Sequence, residues 1–220
     1  MADSPLFRQI TALQIAVAQR TGALILDTRP AQQFASLHIR GSIHISLTGH
    51  FASWAAIIID PTQKIVLIAE NTQRAQEAYN RLIRVGVTKV IGYTLANEAE
   101  WRRQGLELAS ISIKRCDEIV RALQRGPSMQ LIDVRSRAEW LKGHLPGAIS
   151  LPLLDLDPTK GPIDLSKPSL VYCNEGFRAT TAASILLKES GAAVGIMIDG
   201  IEGCSALGLP LETQDKSSSN

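Results

Sequence analysis

The sequence predicts an α/β protein made of two tandem domains, each a mostly parallel sheet with helices on both faces. The first observation behind this is a repeat. LILDTRPAQQFASLHIRGSIHIS (24–46) returns as LIDVRSRAEWLKGHLPGAISLP (131–152), and Asp27, Arg29, His38 and Gly41 recur as Asp133, Arg135, His144 and Gly147. KIVLIAENTQRAQEAYNRLIRVGVTKVIGY (64–93) then matches SLVYCNEGFRATTAASILLKESGAAVGIMIDG (169–200), and EAEWRRQGLELAS (98–110) matches IEGCSALGLPLET (201–213). Several matched blocks in the same order indicate duplication of one fold. The second observation is that short apolar strands alternate with helical stretches inside each copy, the pattern of a parallel sheet.

The second copy shows the elements in order. SISI (110–113) is a short strand, and the helix that follows is expected to take Asp117 as its N-cap. MQLIDVR is a buried strand, and SRAEWLKGH a short helix or turn leading to His144. AISLP is extended and stopped by Pro152. SLVYC is a continuous apolar run, which suits a central strand covered on both faces. RATTAASILLKESG is a helix with small and apolar residues on one side, and VGIMID is the last strand. The domains are expected at 1–108 and 109–212, with 213–220 a polar, disordered tail.

Composition narrows the class. The 220 residues are 45% hydrophobic and 20% charged with net charge +2, an ordinary globular profile that gives no strong grip on nucleic acid or membrane. The N-terminus lacks the pattern of a signal peptide, and no apolar run approaches the ~20 residues that span a bilayer. Three scattered cysteines, Cys116, Cys173 and Cys204, form neither a CxxC pair nor an even framework. Such usage fits a reducing, cytoplasmic compartment with at least one thiol free to react. Cys116 and Cys204 are expected to pack rather than react. His38, His44 and His50 match no common metal spacing, so neither metal nor cofactor is expected. Arg74, Arg81 and Arg84 read as a solvated helix face.

The segment that carries chemistry is the loop between SLVYC and its helix. Cys173 ends a strand at the carboxyl edge of a parallel sheet, where sites form. Asn174, Glu175, Gly176 and Phe177 make a tight turn, with Gly176 free to take angles closed to other residues. Backbone N–H groups of such a turn, together with the start of the helix at Arg178 and Ala179, make an anion-binding nest. A thiol at its mouth is expected to react as thiolate.

DVR (133–135), EWLKGHLPGAI (139–149), CNEGFRA (173–179) and DGIEGCSALGLP (199–210) together resemble the tandem rhodanese sulfurtransferases. The resemblance covers nearly the whole chain. It implies that Cys173 is the nucleophile and carries the transferred sulfur as a persulfide. It also implies that residues 174–179 form the substrate-binding active loop, with Asp133, Arg135 and His144 supporting it. Arg178 would orient an anionic donor or lock the loop through an acidic partner, for which Asp133 is the candidate. In the first copy Ala69 stands opposite Cys173, so that copy is expected to be inactive. Its GHFASWAAII (49–58) is similar to a stretch in rhodanese modules attached to metallo-β-lactamase-fold persulfide dioxygenases, though no HxHxDH motif accompanies it. Cys204 departs from the family, standing where a tryptophan is usual; Trp101 keeps that residue in the first copy.

The implied reaction moves sulfane sulfur from thiosulfate or a low-molecular-weight persulfide to a thiol or to cyanide. The partners are therefore small sulfur donors and thiol acceptors, with a protein acceptor as a further possibility and no nucleic acid or membrane. Because Glu175 offsets Arg178, a persulfide such as glutathione persulfide is the expected donor. Two alternatives stand beside this reading. One is a persulfide carrier or regulatory module that serves a protein partner without turnover. The other is a rhodanese-fold phosphatase or arsenate reductase, whose C-x5-R loop is one residue longer than the Cys173–Arg178 spacing.

Overall fold

Strands that are buried and almost wholly apolar, IVLIA (65–69) and SLVY (169–172), lie inside the two sheets, because only a strand covered on both faces can bury such a run. Residues 7–123, 129–189 and 193–213 are described by the computed structural model. Of the expected tail at 213–220, all but Thr213 lies outside them. The chain divides into two units, Met1–Ser110 and Ile111–Asn220. Among the described residues no helix is long and apolar enough to cross a membrane.

Unit 1 runs α1 (Ala12–Arg20), β1 (Leu24–Asp27), α2 (Ala31–Ser36), β2 (His38–Ile39), β3 (Ile43–His44), α3 (Phe51–Ile58), β4 (Ile65–Ala69), α4 (Thr72–Arg84), β5 (Val90–Leu95), α5 (Glu98–Arg103) and β6 (Leu108–Ala109). Its parallel sheet has the order β3-β1-β4-β5, and β2 pairs antiparallel with β6. Unit 2 runs β7 (Ser112–Lys114), α6 (Cys116–Leu123), β8 (Gln130–Asp133), α7 (Arg137–Lys142), β9 (Ile149–Ser150), a 3-10 turn (Leu153–Asp155), β10 (Ser169–Tyr172), α8 (Phe177–Glu189), β11 (Val194–Met197) and α9 (Gly200–Ala206). Its five strands are all parallel, in the order β7-β11-β10-β8-β9.

Local chemistry accounts for the helix starts. Thr11 and Gln14 form a reciprocal capping box at α1, as Ser136 and Glu139 do at α7. Helix α6 begins two residues earlier than an N-cap at Asp117 would give: Cys116 opens it and Asp117 lies in its first turn, where an acidic side chain suits the helix dipole. Helix α8 buries Ala179, Thr180, Ala182, Ala183 and Ser184, small side chains that let it lie close to the sheet. The arginines of α4 are not simply a solvated face. Arg81 donates to the Leu47 and Gly49 carbonyls and lies over the Phe51 ring, because α3 and its preceding loop pack beside α4.

The duplication extends to buried polar contacts. Arg29 binds Asp27 through Nε and Nη2 and donates to the Leu37 carbonyl; Arg135 binds Asp133 in the same way and donates to Gly143. His38 stacks on Phe34 and bonds its carbonyl through Nδ1, and His144 does the same with Trp140. The β2–β6 pair at His38↔Ala109 has its counterpart in the bridge His144↔Glu212.

Candidate active site

Strand β10 delivers Cys173 to the carboxyl edge of the sheet, and three residues, Asn174 to Gly176, turn the chain into α8. Gly176 takes φ +88°, a left-handed angle that suits glycine. In that conformation its N–H donates to Cys173 Sγ at 3.1 Å. The sulfur thus sits at the start of a 13-residue helix with a backbone donor aimed at it, an arrangement that stabilises negative charge on sulfur. Cys173 is 2% exposed and is the one free cysteine. Glu175 and Phe177 are exposed at the rim, Asn174 is half-buried, and Ala179 is buried beneath the loop.

The acidic partner of Arg178 is Glu139, not Asp133. Nη1 and Nη2 of Arg178 donate to the two Glu139 oxygens at 2.9 and 2.8 Å. Asp133 is already saturated: fully buried, it holds Arg135 through four hydrogen bonds, one of them from the Arg135 backbone. Asp133, Arg135 and His144 hydrogen-bond within the segment that runs from β8 through α7. Glu139 bonds the loop directly, and sequence reading missed it. It accepts from Arg178, from Asn174 Nδ2 at 3.2 Å and from Ser136, tying the active loop to the first turn of α7. These donors, Arg178 above all, hold its carboxyl far below the usual carboxylate range, and Glu139 in turn raises Arg178. The available signal was the capping-box spacing Ser136–Glu139, which announced a helix start but not a second duty. Tyr172, under the loop, is pushed above its ordinary range by burial, with Asp133 adding to the effect.

Backbone on the far side of the loop is held by α9. The Ile201 N–H donates to the Cys173 carbonyl at 2.8 Å. Gly200 takes φ +58°, and a Cβ on it would fall 1.6 Å from the Asn174 oxygen. No side chain fits there.

In unit 1 the corresponding place carries no thiol. Asp27 pairs with Ile68 as Asp133 pairs with Tyr172, so Ala69 and Cys173 take equivalent positions. Only Glu70 and Asn71 separate Ala69 from α4, one residue fewer than after Cys173. Asn71 caps the Arg74 N–H, Gln33 stands where Glu139 does and bonds Glu70, and Arg74 pairs with Glu77 inside its own helix.

Cys116 and Cys204, expected to be separate packing thiols, are joined in a disulfide. Strand order explains it: β7 lies beside β11, so the helices that follow these two strands start side by side. In unit 1, Trp101 packs with Ile10, Ala12 and Ile15; in unit 2 the disulfide occupies the corresponding cluster with Ile119 and Ile201.

A family model for the rhodanese-like domain matches residues 12–95 and 117–207. Among curated proteins, the uncharacterized protein YqhL of Bacillus subtilis is 42% identical over 59 residues, 27% of this chain and 47% of that protein. A sulfurtransferase of Allochromatium vinosum is 28% identical over 81 residues, 37% of this chain and 76% of that protein. The HTH-type transcriptional regulator Rv0324 of Mycobacterium tuberculosis is 26% identical over 43% of this chain and 42% of the regulator. The chain thus spans less than half the length of YqhL and of the regulator. Among solved structures, a thiosulfate sulfurtransferase from Pseudomonas aeruginosa is 20% identical, with 95% of this chain and 44% of that one covered at a TM-score of 0.40. The rhodanese-like domain of the Alr3790 protein from Anabaena is 27% identical, with 48% and 82% covered at a TM-score of 0.42. The chain belongs to the rhodanese-like domain family, with one match to that domain in each of its two units.

Proposed function

We propose that the chain is a sulfurtransferase that moves sulfane sulfur through a persulfide on Cys173. The observation that carries this reading is the Gly176 N–H aimed at Sγ of the one free cysteine, in a loop clamped by Glu139 and Arg178. Cys173 thiolate attacks the outer sulfur of the donor. A sulfur–sulfur bond forms to Cys173 as the donor's own breaks, and a thiolate leaves, or sulfite when thiosulfate is the donor. An acceptor thiolate, or cyanide in an assay, then attacks the outer sulfur of the Cys173 persulfide and restores the thiolate. The terminal sulfur is anionic in between, and backbone donors of the loop stabilise it as oxyanion-hole donors stabilise oxygen.

The preferred donor in this proposal is a low-molecular-weight persulfide. Arg178, the cation nearest in sequence to the nucleophile, is neutralised by a bidentate carboxylate, and Glu175 adds negative charge at the rim. A dianion such as thiosulfate gains little there. Acceptors are small thiols, with a protein thiol as a further partner, in a cytoplasmic setting. Unit 1, with Ala69 in place of the thiol, acts as a non-catalytic partner domain.

The test is sulfur transfer to cyanide by wild type and Cys173→Ser, offering thiosulfate and glutathione persulfide separately and following the added sulfur on the protein by mass spectrometry. Turnover and adduct should both vanish in the variant, with glutathione persulfide the better donor for wild type. A variant that still transfers sulfur would end this reading. Loading without turnover would recast the protein as a persulfide carrier.

A further inference from the structure

Cys116 is the first residue of α6, Cys204 lies in α9, and the disulfide joins them across 88 residues with their Cα atoms 5.3 Å apart. Both are fully buried. Asp199, just before α9, adds a second tie. Its Oδ2 accepts the Cys116 N–H at 3.3 Å and lies 3.7 Å from Arg115 Nε. The same first turn of α9 presses on the active loop: Gly200 abuts the Asn174 carbonyl, and the Ile201 N–H holds the Cys173 carbonyl. A covalent bond therefore anchors the helix that fixes the backbone of the nucleophile and of the residue after it.

We propose that the Cys116–Cys204 disulfide is a redox-controlled brace on the active loop, a regulation that rests on the sulfurtransferase reading. As a disulfide it holds α9, and with α9 the loop shape that aims Gly176 at the sulfur. On reduction α9 is held by Asp199 and packing alone, the loop samples more shapes, and sulfur loading slows. The reductant is a dithiol. One of its thiolates attacks Sγ of Cys116 or Cys204, breaking the disulfide and forming a mixed disulfide. Its second thiol displaces that bond, so two electrons and two protons pass to the protein and the dithiol leaves oxidised. Because both sulfurs are buried, α9 must lift before a reductant reaches them. A monothiol that discharges Cys173 forms with the disulfide only a mixed disulfide, which the freed cysteine reverses, so turnover leaves the brace intact and only a dithiol opens it.

The experiment uses the whole chain. Thiols are counted by alkylation under denaturing conditions and intact mass, before and after dithiothreitol followed by anaerobic desalting. One thiol is expected before and three after; three before treatment overturns the proposal. Each form is then measured for loading by glutathione persulfide and, independently of sulfur chemistry, for alkylation of Cys173 by iodoacetamide at fixed pH. Reduction should slow both by roughly tenfold, about the worth of one hydrogen bond to an anionic group, and reoxidation should restore them. Cys116→Ala/Cys204→Ala should behave as the reduced form, and the wild type cycled between states carries the test if that variant folds poorly. Equal rates in both states overturn the brace and leave the sulfurtransferase reading standing. State-dependent alkylation with no loading in either state does the reverse.

Discussion

Replacing Gly200 with alanine tests whether α9 positions Cys173. The added Cβ would lie 1.6 Å from the Asn174 oxygen, 2.1 Å from its carbonyl carbon and 2.7 Å from the Cys173 oxygen. Non-bonded carbon and oxygen settle at about 3.5 Å, so the loop and α9 must separate by nearly 2 Å. The neighbours are backbone, which cannot swing aside as a side-chain end can. Overpacking of this kind costs about 1–3 kcal/mol, and the left-handed φ of +58° adds about 1 kcal/mol for a residue with Cβ. The expected total is about 3 kcal/mol, a fall in Tm on the order of 10 °C for a unit of this size. A shift of 1 Å or more at a reacting group costs about a hundredfold in rate, so persulfide loading of Cys173 should fall by that factor while the variant remains folded at 25 °C. Stopped-time mass spectrometry gives the loading rate and calorimetry gives Tm. Loading within about twofold of wild type, together with an unchanged Tm, would refute the argument that α9 sets the loop.

Other perturbations separate charge, loop length and burial. Glu139→Gln keeps the capping role at Ser136, since glutamine also serves there, but frees the Arg178 cation. It should cost about 2 kcal/mol in urea unfolding and raise thiosulfate relative to glutathione persulfide about tenfold; an unchanged donor ratio would show that Arg178 does not select the donor. The stabilisation that Glu139 gives should be whole above the ordinary glutamate range and disappear only as pH falls toward its lowered folded value, visible as a wild-type-minus-variant difference that is flat from pH 5 to 9. Placing a thiol in unit 1, as Ala69→Cys in a Cys173→Ser background, should restore less than about a hundredth of the loading rate, because that loop is one residue shorter and lacks the Glu139 clamp. A rate near wild type would contradict this. His38 and His44 are both lowered by burial, so the unfolded chain takes up their protons first. Stability should be full above about pH 6.5 and decline below it by at most about 2.7 kcal/mol per pH unit. NMR titration of their C2 protons at ordinary values would sink that account.

Much of the site was legible from sequence because its parts are local. Cys173 and residues 174–179 are contiguous, and a strand, a glycine turn and a helix of small residues are each encoded within a few positions. The repeat made the two units visible for the same reason: the hydrogen bonds Arg135–Asp133, Arg135–Gly143 and His144–Trp140 span at most eight positions along the chain, as their counterparts at Arg29 and His38 do. Ala69 was readable as the counterpart of Cys173 by counting back from an arginine, and the strand register places the two equivalently.

What remained hidden lies across the sheet. Arg178 could choose among several carboxylates by sequence distance, and its partner was decided by which one Arg135 had already saturated. That is a competition for hydrogen-bond partners, settled only when β8 and β10 are side by side. Cys116 and Cys204 are 88 residues apart and match no spacing rule; parallel pairing of β7 with β11 brings their helices together. Gly200 looked like one more turn glycine until α9 met Asn174. Sequence alone determined the duplicated fold and pointed to Cys173 as the candidate nucleophile, because propensity and loop chemistry act over neighbouring residues. The tertiary structure alone decided what clamps the Cys173 loop in place, because strand order sets which distant side chains meet.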